Sequence, residues 1–153
     1  MANISPVPSG FHTLTPHLIV SGAADAVAFY QKAFNAEEVS RMAGPGKKLM
    51  HAVIRVGDSL FMLADEFPQW DTRGPQAIGG SPITVHMYVD DADAVFNQAV
   101  EAGATVLSPL EDQFWGDRYG KLQDPFGHIW AIATRKEELS QSEILARAPT
   151  MGI

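Results

Sequence analysis

Residues 83–89 read Ile-Thr-Val-His-Met-Tyr-Val, a stretch in which polar and apolar residues alternate. Side chains of a β-strand point alternately to opposite faces, so Thr84, His86 and Tyr88 share one face of the predicted strand. Residues 15–20, Thr-Pro-His-Leu-Ile-Val, repeat this pattern near the N-terminus. The chain is therefore predicted to contain two related strands, each with one face suited to packing and one accessible face.

A helix and three further strands are predicted after each of these strands. The sequence Ala-Asp-Ala-Val occurs at residues 24–27 and again at residues 92–95. Asp90 and Asp91 are typical N-caps for the second helix, and Gly103 is a typical residue just beyond its C-terminus. The repeated order of elements predicts a duplicated βαβββ module.

This pattern divides the chain into five segments. Residues 1–12 are expected to form an irregular lead-in, residues 13–65 the first module and residues 83–134 the second. The Pro- and Gly-rich stretch at residues 66–82 is interpreted as a linker. In the polar tail, residues 135–153, the sequence Ser-Gln-Ser-Glu has the form of a capping box that opens a short helix.

Charge and composition exclude several classes of partner. The 153 residues include 11 Lys and Arg against 18 Asp and Glu, for a formal net charge of −7. Nucleic-acid and anionic membrane partners are therefore disfavoured. The absence of cysteine removes disulfides and thiolate metal sites. Neither a run of roughly 20 apolar residues nor a signal peptide is evident, so we expect a cytoplasmic protein.

Several separate blocks of sequence resemble one family. Residues 26–36 read Ala-Val-Ala-Phe-Tyr-Gln-Lys-Ala-Phe-Asn-Ala, and residues 124–128 read Asp-Pro-Phe-Gly-His. Together with the duplicated module, these blocks resemble the vicinal oxygen chelate superfamily, which includes glyoxalase I, extradiol dioxygenases, and fosfomycin- and bleomycin-resistance proteins. Residues 51–58, 62–66 and 112–118 are similar to its PhnB-like, glyoxalase-like branch.

The resemblance implies an α+β fold in which two tandem βαβββ modules form a cupped mixed sheet with the helices outside. It also implies a homodimer that binds a small organic molecule in the cavity between the modules. The accessible faces of the two opening strands would then line this cavity. The residues expected to bind the ligand are Thr15, His17, Phe61, Thr84, His86, Tyr88, Trp115 and Arg118.

The resemblance also bears on metal binding. Metal-using members of the superfamily place His, Gln or Glu ligands on the first and last strands of each module. The matching first-strand positions are Thr15 and Thr84, and the matching last-strand positions are Phe61 and Ala131. Alanine and phenylalanine offer no donor and neutral threonine is a weak ligand, so the standard metal site is expected to be absent and no cofactor is predicted.

The histidines keep an enzymatic alternative open. His17 and His86 each lie two residues beyond a lost ligand position, so a displaced divalent-metal site is the alternative to hydrogen bonding within the cavity. His51 and His86 are candidates for metal-free acid–base catalysis, although a structural role for His51 is the competing interpretation. Asp65 and Glu66 are interpreted as a solvated turn, with a catalytic carboxylate pair as the alternative.

Aromatic residues near the C-terminal end of the second module suggest a way to hold a ligand. Trp115, Arg118 and Tyr119 are predicted to lie in a Gly-bounded loop over the second module, where a ring and a guanidinium could hold an anionic or aromatic compound. A loop at a dimer contact is the competing interpretation. Trp130 is predicted to lie in the core beneath a helix.

The predicted function is binding or sequestering a small molecule. The alternatives are a lyase, isomerase or dioxygenase-like enzyme, and a structural or regulatory dimer without a ligand.

Overall fold

The structure, a computed structural model, describes residues 3–149. The described chain contains two compact units, which divide between residues 81 and 82. Each unit is a four-stranded mixed sheet with one long helix packed on one face. This arrangement confirms the predicted α+β fold of two tandem βαβββ modules. Within the described part of the chain, no helix is long and apolar enough to cross a membrane.

The first unit follows the predicted order of elements, which are β1 (His17–Val20), α1 (Ala23–Phe34), β2 (Glu37–Ala43), β3 (Leu49–Val56) and β4 (Ser59–Asp65). The strands lie in the order β1-β4-β3-β2. β1 runs parallel to β4, and the other neighbours are antiparallel. We call the face of each sheet opposite its own long helix the open face.

Local sequence explains where α1 begins and ends. Gly22 precedes the helix with a left-handed φ of 96°, and Asn35 ends it with a φ of 55°. Asparagine tolerates the left-handed conformation that closes many helices. Tyr30 and Val27 are almost completely buried between the helix and the sheet. Their spacing is typical of an amphipathic helix.

Two boundaries differ from the prediction. The first strand begins at His17, whereas the first module was predicted to begin at residue 13. Pro16 has no N–H to extend the ladder and contributes only its carbonyl, which accepts from the Met62 amide at 2.8 Å. The linker at residues 66–82 is not wholly irregular, because it contains a 3₁₀ turn (Pro68–Trp70) and the short helix α2 (Pro75–Ile78).

Asp65 is buried, with 4% of its surface exposed. Its carboxylate accepts hydrogen bonds from the backbone N–H groups of Gly22, Ala23 and Leu49 at 2.8, 2.9 and 2.7 Å. The interpretation of Asp65 as part of a solvated turn is therefore wrong. Glu66 accepts from the Gly74 amide at 2.9 Å, which ties the start of the connecting segment to its end.

The second unit contains β5 (Thr84–Tyr88), α3 (Ala92–Ala102), β6 (Thr105–Asp112), β7 (Asp117–Gln123), β8 (Ile129–Arg135) and α4 (Gln141–Arg147). Its strands lie in the order β5-β8-β7-β6, with β5 parallel to β8. The topology therefore repeats that of the first unit.

The predicted caps of the second unit are present. The Asp91 side chain accepts from the Ala94 amide at 3.1 Å, and Gly103 follows the last turn of α3. Ser140 opens α4 with a reciprocal capping box. Trp130 is 2% exposed, as expected for a core residue, and its indole N–H donates to Asp124 at 2.9 Å. These local signals were sufficient to locate both helices.

Candidate functional site

The open face of the second sheet carries polar and aromatic side chains. The strand register places Ala133 of β8 between Tyr88 of β5 and Tyr119 of β7, and it pairs His86 with Ala131. Residues directly opposite each other on neighbouring strands share a face. His86 and Tyr88 are exposed, whereas both alanines are fully buried. The alternation in residues 83–89 therefore predicted the faces of β5 correctly.

Rings on this face contact one another in a continuous series. The centroid of the His86 ring lies 4.7 Å from that of Tyr88 and 5.8 Å from that of Tyr119. The planes of the His86 and Tyr119 rings meet at 27°. The centroid of the Trp115 ring lies 5.5 Å from that of Tyr119 and 5.1 Å from that of Phe114. We call these five residues the aromatic cluster. It brings together three of the residues predicted to bind a ligand, His86, Tyr88 and Trp115.

A buried carboxylate fixes two members of the aromatic cluster. Asp117 is 4% exposed, and its Oδ2 accepts from the Tyr88 hydroxyl and from the Trp115 indole N–H, both at 3.0 Å. Hydrogen bonds to an ionised group are among the stronger ones in proteins. Asp117 was not among the residues predicted to bind a ligand, although strand parity with Tyr119, two residues later, places it on the same face.

The hydrogen bond to Asp117 raises the pKa of the Tyr88 phenol above its ordinary value. A phenolate beside the carboxylate is disfavoured, so this contact contributes stability below the unfolded pKa of about 10 and loses it as pH rises through the folded value. We expect ¹³Cζ-tyrosine NMR to show Tyr88 titrating above pH 10, with Tyr88→Phe assigning the resonance. Asp117→Asn should return the pKa towards its ordinary value. An unchanged pKa in Asp117→Asn would contradict the contact.

A cavity of about 590 Å³ adjoins the aromatic cluster and is lined by Tyr88, Val89, Asp90, Thr134 and Arg135. Arg135 is the register partner of Asp117. Within residues 3–149 its guanidinium has no ion pair and no hydrogen bond. Arg135 was not among the residues predicted to bind a ligand, but it ends β8 on the open face and supplies an available positive charge.

Arg118 lies on the opposite face of β7 from Tyr119. Its guanidinium donates to both carboxylate oxygens of Asp93 on α3, at 2.7 and 2.9 Å, and to Asp112 at 3.1 Å. These hydrogen bonds raise the pKa of Arg118. The structure therefore does not bring Arg118 together with Trp115 and Tyr119, which were predicted to act with it.

Phe61 also lies away from the open face. It is 5% exposed, and its ring meets that of Tyr30 on α1 edge to face at 5.6 Å. The register pairs His17 with Met62 just as it pairs His86 with Ala131. The position equivalent to Ala131 is therefore Met62, one residue beyond the position inferred from sequence.

His17 and His51 lie on the open face of the first sheet. Their ring centroids are 5.6 Å apart. Partial burial, and secondly the neighbouring His51, lower the pKa of His17. Thr15 is half-buried and precedes β1. A displaced metal site formed by His17 and His86, which belong to separate units, stays a prediction.

The residues at the standard metal-ligand positions of the vicinal oxygen chelate superfamily do not suit a divalent ion. Thr84 and Thr15 offer only neutral hydroxyls, Ala131 offers no donor and Met62 offers a thioether, whereas hard divalent ions prefer carboxylate and imidazole ligands. Among residues 3–149, no group of three or more His, Asp or Glu side chains is arranged to hold a metal ion.

Comparison with known proteins places the chain in a family. The model of the Glyoxalase/Bleomycin resistance protein/Dioxygenase superfamily matches residues 10–132. An uncharacterized protein of Mycobacterium tuberculosis is 46% identical over 142 residues, which cover 91% of this chain and 84% of that protein.

Solved structures agree with this placement. The X-ray structure of an Arabidopsis thaliana gene product is 28% identical, covers 80% of this chain and 98% of its own, and has a TM-score of 0.65. A PhnB protein from Bacillus cereus is 22% identical over 80% of this chain and 99% of its own, with a TM-score of 0.63, and bears on the fold alone. The chain therefore belongs to the Glyoxalase/Bleomycin resistance protein/Dioxygenase superfamily.

Proposed function

We propose that this chain is a small-molecule binding protein, in which the open face of the second sheet holds a planar aromatic compound that carries an anionic group. The observation that carries the proposal is the aromatic cluster fixed by Asp117. The family resemblance also leads us to expect a homodimer. Binding of this kind needs no metal ion at the standard positions.

Stacking is the interaction that the aromatic cluster is suited to provide. Tyr88 is 65% exposed, so much of its surface is available to a ligand. Its hydroxyl is already held by Asp117, as is the indole N–H of Trp115. Rings that are fixed before binding lose little conformational entropy when a flat molecule stacks on them. The site is therefore partly preorganised.

The position of Arg135 supports the proposal that the ligand carries an anionic group. It shares the cavity of about 590 Å³ with Tyr88, and that volume is within the range of small-molecule sites. A guanidinium without a protein partner is suited to bind a carboxylate or sulfonate through paired N–H donors. Asp90 on the same cavity disfavours a ligand with several negative charges.

The proposal predicts that anthraquinone-2-sulfonate binds and that its affinity depends on the cluster. In isothermal titration calorimetry, Tyr119→Leu should weaken binding by about fivefold or more, because an aromatic stacking contact contributes roughly 1 kcal/mol beyond buried area. Arg135→Gln should weaken binding of the sulfonate but leave that of uncharged 2-(hydroxymethyl)anthraquinone unchanged. Thermal unfolding of each variant checks that the fold is retained.

Arg118→Gln is the matched control, because Arg118 lies on the helix side of the same strand as Tyr119. It should leave the affinity within about twofold of wild type. Loss of binding in Arg118→Gln with normal binding in Tyr119→Leu would mean that the ligand binds on the helix side of the second sheet and not on its open face. No binding of either anthraquinone by wild type would overturn the proposed ligand class.

Metal-free acid–base catalysis by His86 is the second candidate function. The observation that favours it is the position of the imidazole 4.7 Å from the Tyr88 ring, at the surface where a ligand would stack. Within residues 3–149, however, no carboxylate hydrogen-bonds to His86 to orient it. A His86→Gln variant that binds a compound normally but no longer converts it would favour catalysis over binding alone.

A further inference from the structure

The open face of the first sheet carries histidine and methionine in alternation across its four strands. In the strand order β1-β4-β3-β2 these residues are His17, Met62, His51 and Met42. His17 is the register partner of Met62, and His51 is the register partner of Met42. Each imidazole therefore has a thioether on the neighbouring strand, on the same face of the sheet.

The separation of the two imidazoles allows them to share one metal ion. Metal–nitrogen bonds of about 2.0 Å place an imidazole centroid roughly 3 Å from the ion, so two rings on one ion have centroids no more than about 6 Å apart. The centroids of His17 and His51 are 5.6 Å apart. The outer torsion of histidine is broad, so the rings can turn towards a common ion at low cost.

Both imidazoles are available as ligands. Within residues 3–149, neither His17 nor His51 makes a hydrogen bond or an ion pair through its side chain. An imidazole without a protein partner can bind a metal ion through a ring nitrogen.

We propose that His17 and His51, together with Met62 or Met42, form a binding site for monovalent copper. Thioethers are soft ligands that select Cu(I) over hard divalent ions, and imidazole also suits copper. No cluster of three or more histidine and carboxylate side chains competes for harder ions among residues 3–149. The site uses only residues of the first unit and shares none with the aromatic cluster.

The experiment is an anaerobic competition for Cu(I) between the protein and bathocuproine disulfonate. Wild type should remove one equivalent of Cu(I) from the chelator. His17→Gln and His51→Gln should each lower the affinity by about tenfold or more, the loss expected when one ligand is removed. The matched control His86→Gln, on the open face of the second sheet, should bind as tightly as wild type.

X-ray absorption distinguishes the proposed ligand set from two histidines alone. The wild-type Cu(I) complex should show a sulfur scatterer that disappears in Met62→Leu or in the double variant with Met42→Leu. Unchanged Cu(I) affinity in His17→Gln or His51→Gln, equal loss in His86→Gln, or tighter binding of Zn(II) than of Cu(I) would overturn the site. Leucine is close to methionine in volume, and thermal unfolding confirms that each variant is folded.

Discussion

Replacing Asp65 by Ala is expected to lower the free energy of unfolding by about 3–5 kcal/mol, as measured by urea denaturation. The carboxylate is buried and accepts from three backbone N–H groups. Two of them, on Gly22 and Ala23, belong to the start of α1, where no side chain caps the helix locally. The third, on Leu49, begins β3. Alanine would leave all of these donors without their acceptor.

Thr134→Val is the matched comparison for Asp65→Ala, because Thr134 lies one residue before the end of β8 and hydrogen-bonds to the first residue of α3. Its hydroxyl accepts from the Ala92 amide at 2.9 Å and donates to the Val89 carbonyl at 2.7 Å. Loss of this neutral hydroxyl, which makes fewer hydrogen bonds than the Asp65 carboxylate, should lower the free energy of unfolding by about 1–2 kcal/mol. Equal losses for the two variants, or a loss below about 1 kcal/mol for Asp65→Ala, would mean that water replaces the carboxylate.

Asp65→Asn separates the charge of the side chain from its size. Both carboxylate oxygens are used in the folded state, Oδ1 by Gly22 and Ala23 and Oδ2 by Leu49. An amide has only one acceptor oxygen, so its NH₂ group must face an N–H donor on one side. We therefore expect Asp65→Asn to recover little of the stability lost in Asp65→Ala.

Helices and strand faces could be predicted because their signals are local. Asp91 and Asn35 mark helix ends through bonds and backbone angles within a few residues. The alternation in residues 83–89 was sufficient to place His86 and Tyr88 on the open face, since strand parity depends only on the chain itself. The duplicated module then followed from repetition of these local patterns.

The role of Asp65 could not be predicted because its partners are distant in sequence. The carboxylate meets Gly22 and Ala23 across separations of 43 and 42 residues. An Asp-Glu pair at the end of a strand is indistinguishable by local pattern from a solvated turn. Only the parallel pairing of β1 with β4 brings the end of β4 to the start of α1.

The misplacement of Phe61 has a different cause, which is unequal loop length. Val56 pairs with Ser59 across Gly57 and Asp58, whereas Gln123 pairs with Ile129 across residues 124–128. Matching the glycines of these two turns shifts the inferred position by one residue. A one-residue shift in a strand moves the side chain to the other face. Phe61 therefore faces α1, while Met62 faces the open side.

Trp115 and Arg118 show the same limit within the second unit. Both were predicted to lie in one Gly-bounded loop, but Arg118 belongs to strand β7, which begins at Asp117. Strand parity then sends Asp117 and Tyr119 to the open face and Arg118 towards α3. Arg135 reaches the open face instead, as the register partner of Asp117. Which arginine is available to a ligand therefore depends on where β7 and β8 begin and end, and composition alone does not determine those boundaries.

Replacing Gly120 by Ala is expected to lower the free energy of unfolding by about 2–3 kcal/mol. A Cβ at this position would lie 2.6 Å from Cε2 of Phe96 and 3.0 Å from the Leu110 Cα. Phe96 is 6% exposed within the core beneath α3, and the second contact is with backbone. Neither neighbour can move without displacing α3 or β6. Urea denaturation measures the loss.

Gly44→Ala provides the control, because neither Gly44 nor Gly120 has a positive φ. Its Cβ would meet Cγ of Met50 at 2.8 Å, and Met50 is a flexible side chain that is 38% exposed. We expect a loss below about 1 kcal/mol, since methionine readily adopts another rotamer. Equal losses in the two variants would contradict the explanation by rigid neighbours.

Gly120→Ala should also affect the open face, because Gly120 and Tyr119 are adjacent on β7 and their side-chain positions point to opposite faces. Pressure from Phe96 and Leu110 would push β7 away from α3, and with it Tyr119 and the Asp117 that holds Tyr88 and Trp115. If anthraquinone-2-sulfonate binds there, its affinity should fall in Gly120→Ala and not in Gly44→Ala. Because strands transmit displacement along their backbone, packing beneath the sheet then controls the geometry of the rings above it.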